Sequence, residues 1–149
     1  MHNPIVLQSG IRARTPLPVK PPAPIRVLVV DDDAMIVTML GALLRQGGFS
    51  VETMTDSTEA LSLLTVKPTE FDVLVSDHDM PRMCGTELID RARMAGFRGK
   101  VILHSGSVSG TDAAEKVRRA DAVVEKPSGA RMLVPVLRAL VARQARACA

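Results

Sequence analysis

The chain has 149 residues and a mass of 16.0 kDa, a length that fits one domain and leaves little room for a second. Apolar residues make up 46% and charged residues 23%, so the chain can bury a core and wholesale disorder is disfavoured. With three Phe, no Trp and no Tyr, it lacks the aromatic platforms on which single-stranded nucleic acids stack.

The net charge of +3 comes from the two ends of the chain. Residues 25–125 carry 11 basic and 16 acidic groups, whereas residues 1–24 and 126–149 carry basic groups alone. Because a nucleic-acid-binding domain usually has a basic face on its folded part, the acidic middle argues against a nucleic-acid partner.

Cysteine usage and hydropathy predict a cytoplasmic protein without a membrane partner. Cys84 and Cys148 lie far apart, which argues against a disulfide framework and against a zinc site. No apolar run reaches the roughly 18 residues of a membrane span, and the N-terminus lacks the long apolar stretch of a signal peptide.

The proline distribution divides the chain. Six of the ten prolines lie in the first 24 residues, a density typical of an extended linker. We therefore expect a flexible leader over residues 1–24, either inert or used for docking, and a folded domain over residues 25–147.

Within that domain, strand and helix patterns alternate. Apolar runs predict strands over 25–30, 49–54, 71–76, 100–104 and 122–125. Helical spacing predicts a first helix that ends at Gly47-Gly48 and further helices over 57–64, 85–95, 111–119 and 128–147, the last delayed or kinked by Pro135. The methionines, Met132 among them, are expected in the core. Five strand–helix units predict a parallel sheet with helices on both faces.

Chemistry in such sheets lies at the carboxyl ends of the strands. The residues that follow four of the predicted strands are polar: Asp31, Asp32 and Asp33; Asp77, His78 and Asp79; Ser105; and Lys126. Crowded carboxylates repel one another unless a cation joins them, and oxygen ligands favour Mg²⁺. A lysine and a hydroxyl beside the metal could hold a phosphoryl group, and one carboxylate could become an acyl phosphate. The residues therefore predict Mg²⁺-assisted phosphoryl transfer to an aspartate, with Asp33 capping the first helix.

Four motifs in this order resemble the receiver domain of two-component response regulators over roughly residues 25–145. They are Val29-Val30-Asp31-Asp32, Asp77-x-x-Met80-Pro81 with Gly85 eight residues past the Asp, Ser105, and Lys126-Pro127. The resemblance implies a single α/β domain with a flavodoxin-like (βα)5 doubly wound parallel sheet of order 2-1-3-4-5. It also implies a cis bond before Pro127.

The resemblance also assigns roles. It implies phosphorylation of Asp77 by a histidine kinase or histidine phosphotransfer protein. Mg²⁺ would be bound by Asp32, by Asp77 and by the backbone carbonyl of Asp79, with Asp31 acting through water. Ser105 would follow the phosphoryl group and Lys126 would pair with it. Such a chain is no enzyme beyond the self-catalysed phosphorylation and dephosphorylation of its own Asp, and it signals by protein contact or relays phosphate.

Two residues depart from that family pattern, and two other functions stay open. Val123 stands where an aromatic switch is usual, so we expect the loop after Ser105 and the fourth helix to transmit the signal. The acidic Asp79 should tune the lifetime of the acyl phosphate. His78 is expected to be an exposed loop residue. The alternatives are a haloacid-dehalogenase-like phosphatase that uses the Asp77-His78-Asp79 motif and a receiver-like module that only binds partners.

Overall fold

The computed structural model describes residues 22–107 and 109–148, so most of the predicted leader lies outside the described residues. Strands and helices alternate along the described chain, with a 3₁₀ turn at Ser128–Met132 before the last helix. The elements are β1 (Arg26–Val30), α1 (Ala34–Gln46), β2 (Ser50–Met54), α2 (Ser57–Val66), β3 (Val73–Asp77), α3 (Gly85–Met94), β4 (Lys100–Ser105), α4 (Ala113–Arg119), β5 (Ala122–Glu125) and α5 (Leu133–Ala147).

The five strands form one parallel sheet in the order β2-β1-β3-β4-β5, which confirms the predicted topology. In register, Val30 lies opposite Ser76, Asp77 opposite His104, and Ser105 opposite Glu125. The carboxyl ends of β1, β3, β4 and β5 therefore meet at one edge, and the polar residues that follow them are brought together.

Both faces of the sheet are buried, because alternate residues of the central strands enter different apolar layers. Val27, Val29, Val73, Val75 and Ile102 belong to one layer with residues of α1 and α5. On the opposite face, Leu28, Leu74 and Leu103 pack with residues of α2 and α3. Burial on both sides is the reason that these strands are continuous apolar runs and not alternating ones.

Helix starts follow the local chemistry of the chain. The Asp33 carboxylate accepts hydrogen bonds from the backbone N–H groups of Met35 and Ile36, so the predicted cap is confirmed. Pro135 lies in the first turn of α5, where its missing N–H costs no helical hydrogen bond, and the α-helix starts later than residue 128, as its position predicted.

The expectation that the methionines fill the core is wrong for four of them. Met35, Met39, Met94 and Met132 are exposed, Met35 by 82%, whereas Met80 and Met83 are buried. In α1 the buried positions are Val37, Leu40, Gly41 and Leu44. The apolar residues of this helix therefore extend beyond the face that packs against the sheet, and Met35 and Met39 lie outside that face. No helix in the described part of the chain is long and apolar enough to cross a membrane.

Candidate functional site

Three carboxylates meet at the carboxyl edge of the sheet. Asp31 follows β1, Asp77 is the last residue of β3, and both are buried, at 1% and 5% exposure. Asp32 is exposed beside them, and one carboxylate oxygen from each of the three lies within 4.8 Å of the others. The structure therefore unites the three predicted carboxylates, and β3 ends one residue later than predicted, so that Asp77 belongs to the strand itself.

Lys126 joins two of these acids. Its Nζ lies 2.7 Å from Asp31 Oδ2 and 3.2 Å from Asp77 Oδ1. The lysine follows β5, and its bond to Pro127 is cis, as the resemblance implied. Burial by itself lowers the pKa of Lys126, but the hydrogen bond with Asp31 and the charges of Asp77 and Asp31 raise it above its ordinary value. The ammonium therefore stays charged at neutral pH.

The acidity of Asp77 reflects two opposing influences. Burial and the negative charge of Asp31 raise the pKa of its carboxyl, and Lys126 and the N–H of His78 only partly offset them. Asp77 Oδ1 accepts hydrogen bonds from His78 N, at 2.8 Å, and lies against Lys126. The second oxygen, Oδ2, has no such partner among the described residues.

The loop between β3 and α3 brings the start of α3 close to the backbone of Asp77. The N–H of Gly85 donates to the His78 carbonyl at 2.8 Å, and a Cβ at position 85 would lie 2.3 Å from the Asp77 carbonyl oxygen. Only glycine fits this close approach of α3 to the backbone of Asp77. Arg82, in the same loop, has a φ of 68°, a left-handed conformation that disfavours side chains with a Cβ.

The expectation that His78 is exposed is wrong. It is 8% exposed, and its Nδ1 is buried without a hydrogen-bond partner among the described residues. The cause is the loop itself, which folds back so that the N–H groups of Met80 and Gly85 both donate to the His78 carbonyl. Asp79 is exposed in this loop, and the predicted metal-binding role of its carbonyl stays a prediction.

Ser105 ends β4 and is fully buried. Its Oγ donates to the Ser107 carbonyl at 3.1 Å and accepts a hydrogen bond from Lys116 Nζ at 3.1 Å. Lys116 was not among the site residues predicted from the sequence. One signal could have identified it, because Ala113, Lys116 and Ala120 recur at the spacing of one helical face.

An apolar groove lies next to the acids. It has a volume of about 440 Å³ and its lining includes Met35, Ile36, Met39 and Pro127 as well as Lys126. Its lining also includes His104, which is buried and lacks hydrogen-bond partners for both ring nitrogens among the described residues. Burial and the charge of Lys126 lower the pKa of His104, so the ring is neutral at neutral pH.

The donor set fits a hard divalent cation. Three carboxylates with oxygens this close repel one another, and Lys126 touches only two of them, so a cation at this edge would relieve the remaining repulsion. Oxygen ligands that leave room for water suit Mg²⁺.

Comparisons with known proteins agree on one family. The family model named response regulator receiver domain matches residues 27–138. Response regulator MprA from Mycobacterium sp. (strain KMS) is 34% identical over 126 residues, which cover 80% of this chain and 52% of that protein. The alkaline phosphatase synthesis transcriptional regulatory protein SphR from Synechococcus elongatus is 32% identical over 145 residues, covering 92% of this chain and 56% of that protein.

Solved structures show the same fold. The crystal structure of a CheY-like response regulator receiver domain protein from Methanospirillum hungatei JF-1 matches with a TM-score of 0.73 at 28% identity, covering 83% of this chain and 98% of that one. This chain spans about half or less of the length of the curated relatives that it matches first. Since the family match extends over most of the described domain and the fold agrees along nearly the whole of a solved receiver domain, this chain belongs to the response regulator receiver domains of two-component signalling.

Proposed function

We propose that Asp77 of this chain accepts a phosphoryl group from a phosphohistidine on a histidine kinase or histidine phosphotransfer protein, in a reaction that requires Mg²⁺. The observation that carries the proposal is the buried Asp77, placed between two further carboxylates and the ammonium of Lys126. Family membership supports a kinase or phosphotransfer partner in general terms.

The step is a displacement at phosphorus. Asp77 Oδ2 attacks the phosphorus atom, the new O–P bond forms an acyl phosphate, and the P–N bond to the donor imidazole breaks with its electron pair leaving on nitrogen. Lys126 pairs with Asp77 Oδ1 and favours the ionised carboxylate that attack requires. Mg²⁺ held by Asp32, Asp77 and the backbone carbonyl of Asp79, with Asp31 acting through water, would neutralise charge on the transferring oxygens.

The donor needs a surface on which to dock, and the apolar groove beside the acids supplies one. Met35 and Met39 are exposed there within the same groove as Lys126, and exposed apolar side chains next to a reactive group favour a protein partner over a small phosphate ester. Phosphorylated Asp77 then acts through protein contact or passes the phosphate on. The predicted division between a leader over 1–24 and a domain over 25–147 is part of this proposal.

The test is stoichiometric labelling. Incubation with acetyl phosphate and Mg²⁺ should add one phosphate per chain by intact mass, and omission of Mg²⁺ should prevent the labelling. Asp77→Asn should abolish it, whereas the matched control Asp90→Asn, at an exposed position of α3 outside the site, should still be labelled. A labelled Asp77→Asn protein would refute the assignment.

The amount of phosphate incorporated or released also distinguishes the acceptor function from the phosphatase alternative. A phosphatase that used Asp77 would release phosphate from small phosphate esters over many turnovers, whereas an acceptor incorporates one phosphate and hydrolyses it slowly. The family model and the relative MprA are both named for response regulators, which supports the acceptor function.

A further inference from the structure

Lys116 is a buried cation that the proposed phosphoryl transfer does not use. It is 4% exposed and is the buried residue of α4, a helix that otherwise lies at the surface. No carboxylate lies within ion-pair distance of its ammonium in the part of the chain that the structure describes. Burying a charge without a counter-charge costs folding free energy, which suggests that Lys116 has a role other than stabilising the fold.

The ammonium is held at the end of β4. Lys116 Nζ donates to Ser105 Oγ at 3.1 Å and to the Ser107 carbonyl at 2.8 Å. Ser105 Oγ in turn donates its own proton to that same carbonyl, at 3.1 Å. Lysine, serine and carbonyl thus form a closed triangle of hydrogen bonds that ties α4 to the strand next to the acceptor strand.

Phosphorylation would open this triangle. The Ser105 hydroxyl has a single proton, so it can donate either to the Ser107 carbonyl or to a phosphoryl oxygen on Asp77. When it turns to the phosphoryl group, its oxygen still accepts from Lys116. An ammonium that donates to a hydroxyl polarises the O–H bond and makes it a stronger donor.

Among the described residues, β5 makes no side-chain contact with the Ser105 hydroxyl; its end contacts Ser105 through the backbone, where Lys126 N donates to the Ser105 carbonyl at 2.8 Å. Val123 is a partly buried side chain that packs against the apolar layer of α2 and α3, and it has no group that could hydrogen-bond to Ser105. The polar link between the site and the surface therefore runs through α4.

We propose that Lys116 is the positioning residue of the switch: it holds and polarises the Ser105 hydroxyl, and it transmits the phosphorylation of Asp77 to α4. This inference rests on the proposed acceptor function of Asp77. The phosphoryl group also supplies the negative charge that the buried ammonium lacks in the unphosphorylated chain, so the phosphorylated state is favoured by the same residue that reports it.

The test uses the full chain with beryllium fluoride and Mg²⁺ as the mimic of the acyl phosphate. Lys116→Met keeps the length of the stem and removes the charge and its donors, so the affinity for the mimic should fall by roughly tenfold, the change expected for losing a hydrogen bond from a charged donor. The amide exchange of residues 113–119 should change on mimic binding in the original protein and no longer do so in the variant.

Two controls isolate the role of the charge at this position. Lys116→Arg, which keeps a cation and its donors, should restore most of the affinity and of the exchange response. Arg118→Met removes a charge from an exposed position of the same helix and should change neither. If Lys116→Met proves too unstable, Lys116→Gln, which keeps a donor without the charge, should show the same loss.

The outcomes separate the two proposals. If the original chain takes no label on Asp77, the acceptor function fails and this inference fails with it. If Asp77 is labelled but Lys116→Met binds the mimic with unchanged affinity and α4 responds as before, the switch role of Lys116 is refuted and the acceptor function stands. If the role of Lys116 were merely structural, Lys116→Met would lower the free energy of unfolding by the same amount with and without the mimic.

Discussion

Replacing Gly85 by alanine should destabilise the fold and displace Asp77, although alanine is the better helix former. Gly85 begins α3, and a Cβ there would lie 2.3 Å from the Asp77 carbonyl oxygen and 3.0 Å from His78 Cα, both backbone atoms. Backbone cannot rotate away as a side chain can, so the helix must shift. Overpacking costs about 1–3 kcal/mol, and the helix propensity of alanine returns roughly 0.5–1 kcal/mol. The net loss should be about 1–2 kcal/mol.

The assay is thermal or urea unfolding together with the rate of Asp77 labelling by acetyl phosphate. We expect Tm to fall by roughly 4–8 °C and labelling to slow, because the clash bears on the backbone of the acceptor itself. Gly106→Ala is the matched control for stability, since a Cβ at that position meets nothing within 4 Å, and its Tm should stay within a degree or two of the original value. A Gly85→Ala chain that is as stable as the original and is labelled at the same rate would refute the reasoning.

Two further predictions concern the charge and the backbone of the same edge. Asp77→Asn should raise the free energy of unfolding at neutral pH without Mg²⁺, because burial and Asp31 raise the pKa of Asp77. Each unit of that rise is worth about 1.4 kcal/mol. The ionised carboxylate opposes folding above its folded-state pKa. The gain in the free energy of unfolding from Asp77→Asn should therefore fade as pH falls through that pKa and vanish below the ordinary value of 3.8. An equal gain at neutral pH and below pH 3.8 would contradict this account. Arg82→Gly should be about 1 kcal/mol more stable than Arg82→Ala in urea unfolding, because both variants lose the exposed ion pair with Asp56 and only glycine relieves the φ of 68°. Equal stability of the two would show that the loop is not strained there.

The parallel sheet and its acidic edge were predictable because both depend on local patterns, whereas the strand order 2-1-3-4-5 was implied by the resemblance to receiver domains. Apolar runs long enough for a strand and stripes at helical spacing alternate five times, and parallel connections leave few topologies open. Once the strands are parallel, the residues after β1, β3, β4 and β5 must share an edge, so Asp31, Asp77, Ser105 and Lys126 could be grouped before any distance was known.

Burial within loops and on helix faces was not predictable in this way. His78 looks like an exposed loop residue, yet two backbone N–H groups donate to its carbonyl and fold the loop over it. Met35 and Met39 look like core residues, yet the sheet beneath α1 has room only for the neighbouring stripe. The burial of these side chains depends on how much of their loop or helix the neighbouring element covers. The spacing of apolar residues along one helix does not give that information.

Lys116 is the clearest example of a contact that could not be predicted from the sequence. Its sequence context is a short polar helix, and a lysine there would ordinarily be solvated. The sequence by itself determined which strand ends carry the acids, the hydroxyl and Lys126, because the alternation of strands and helices makes the strands parallel. Only the tertiary structure decided that the Lys116 amine reaches Ser105 and Ser107, because that contact depends on the distance between α4 and the end of β4, which no single segment of the chain specifies.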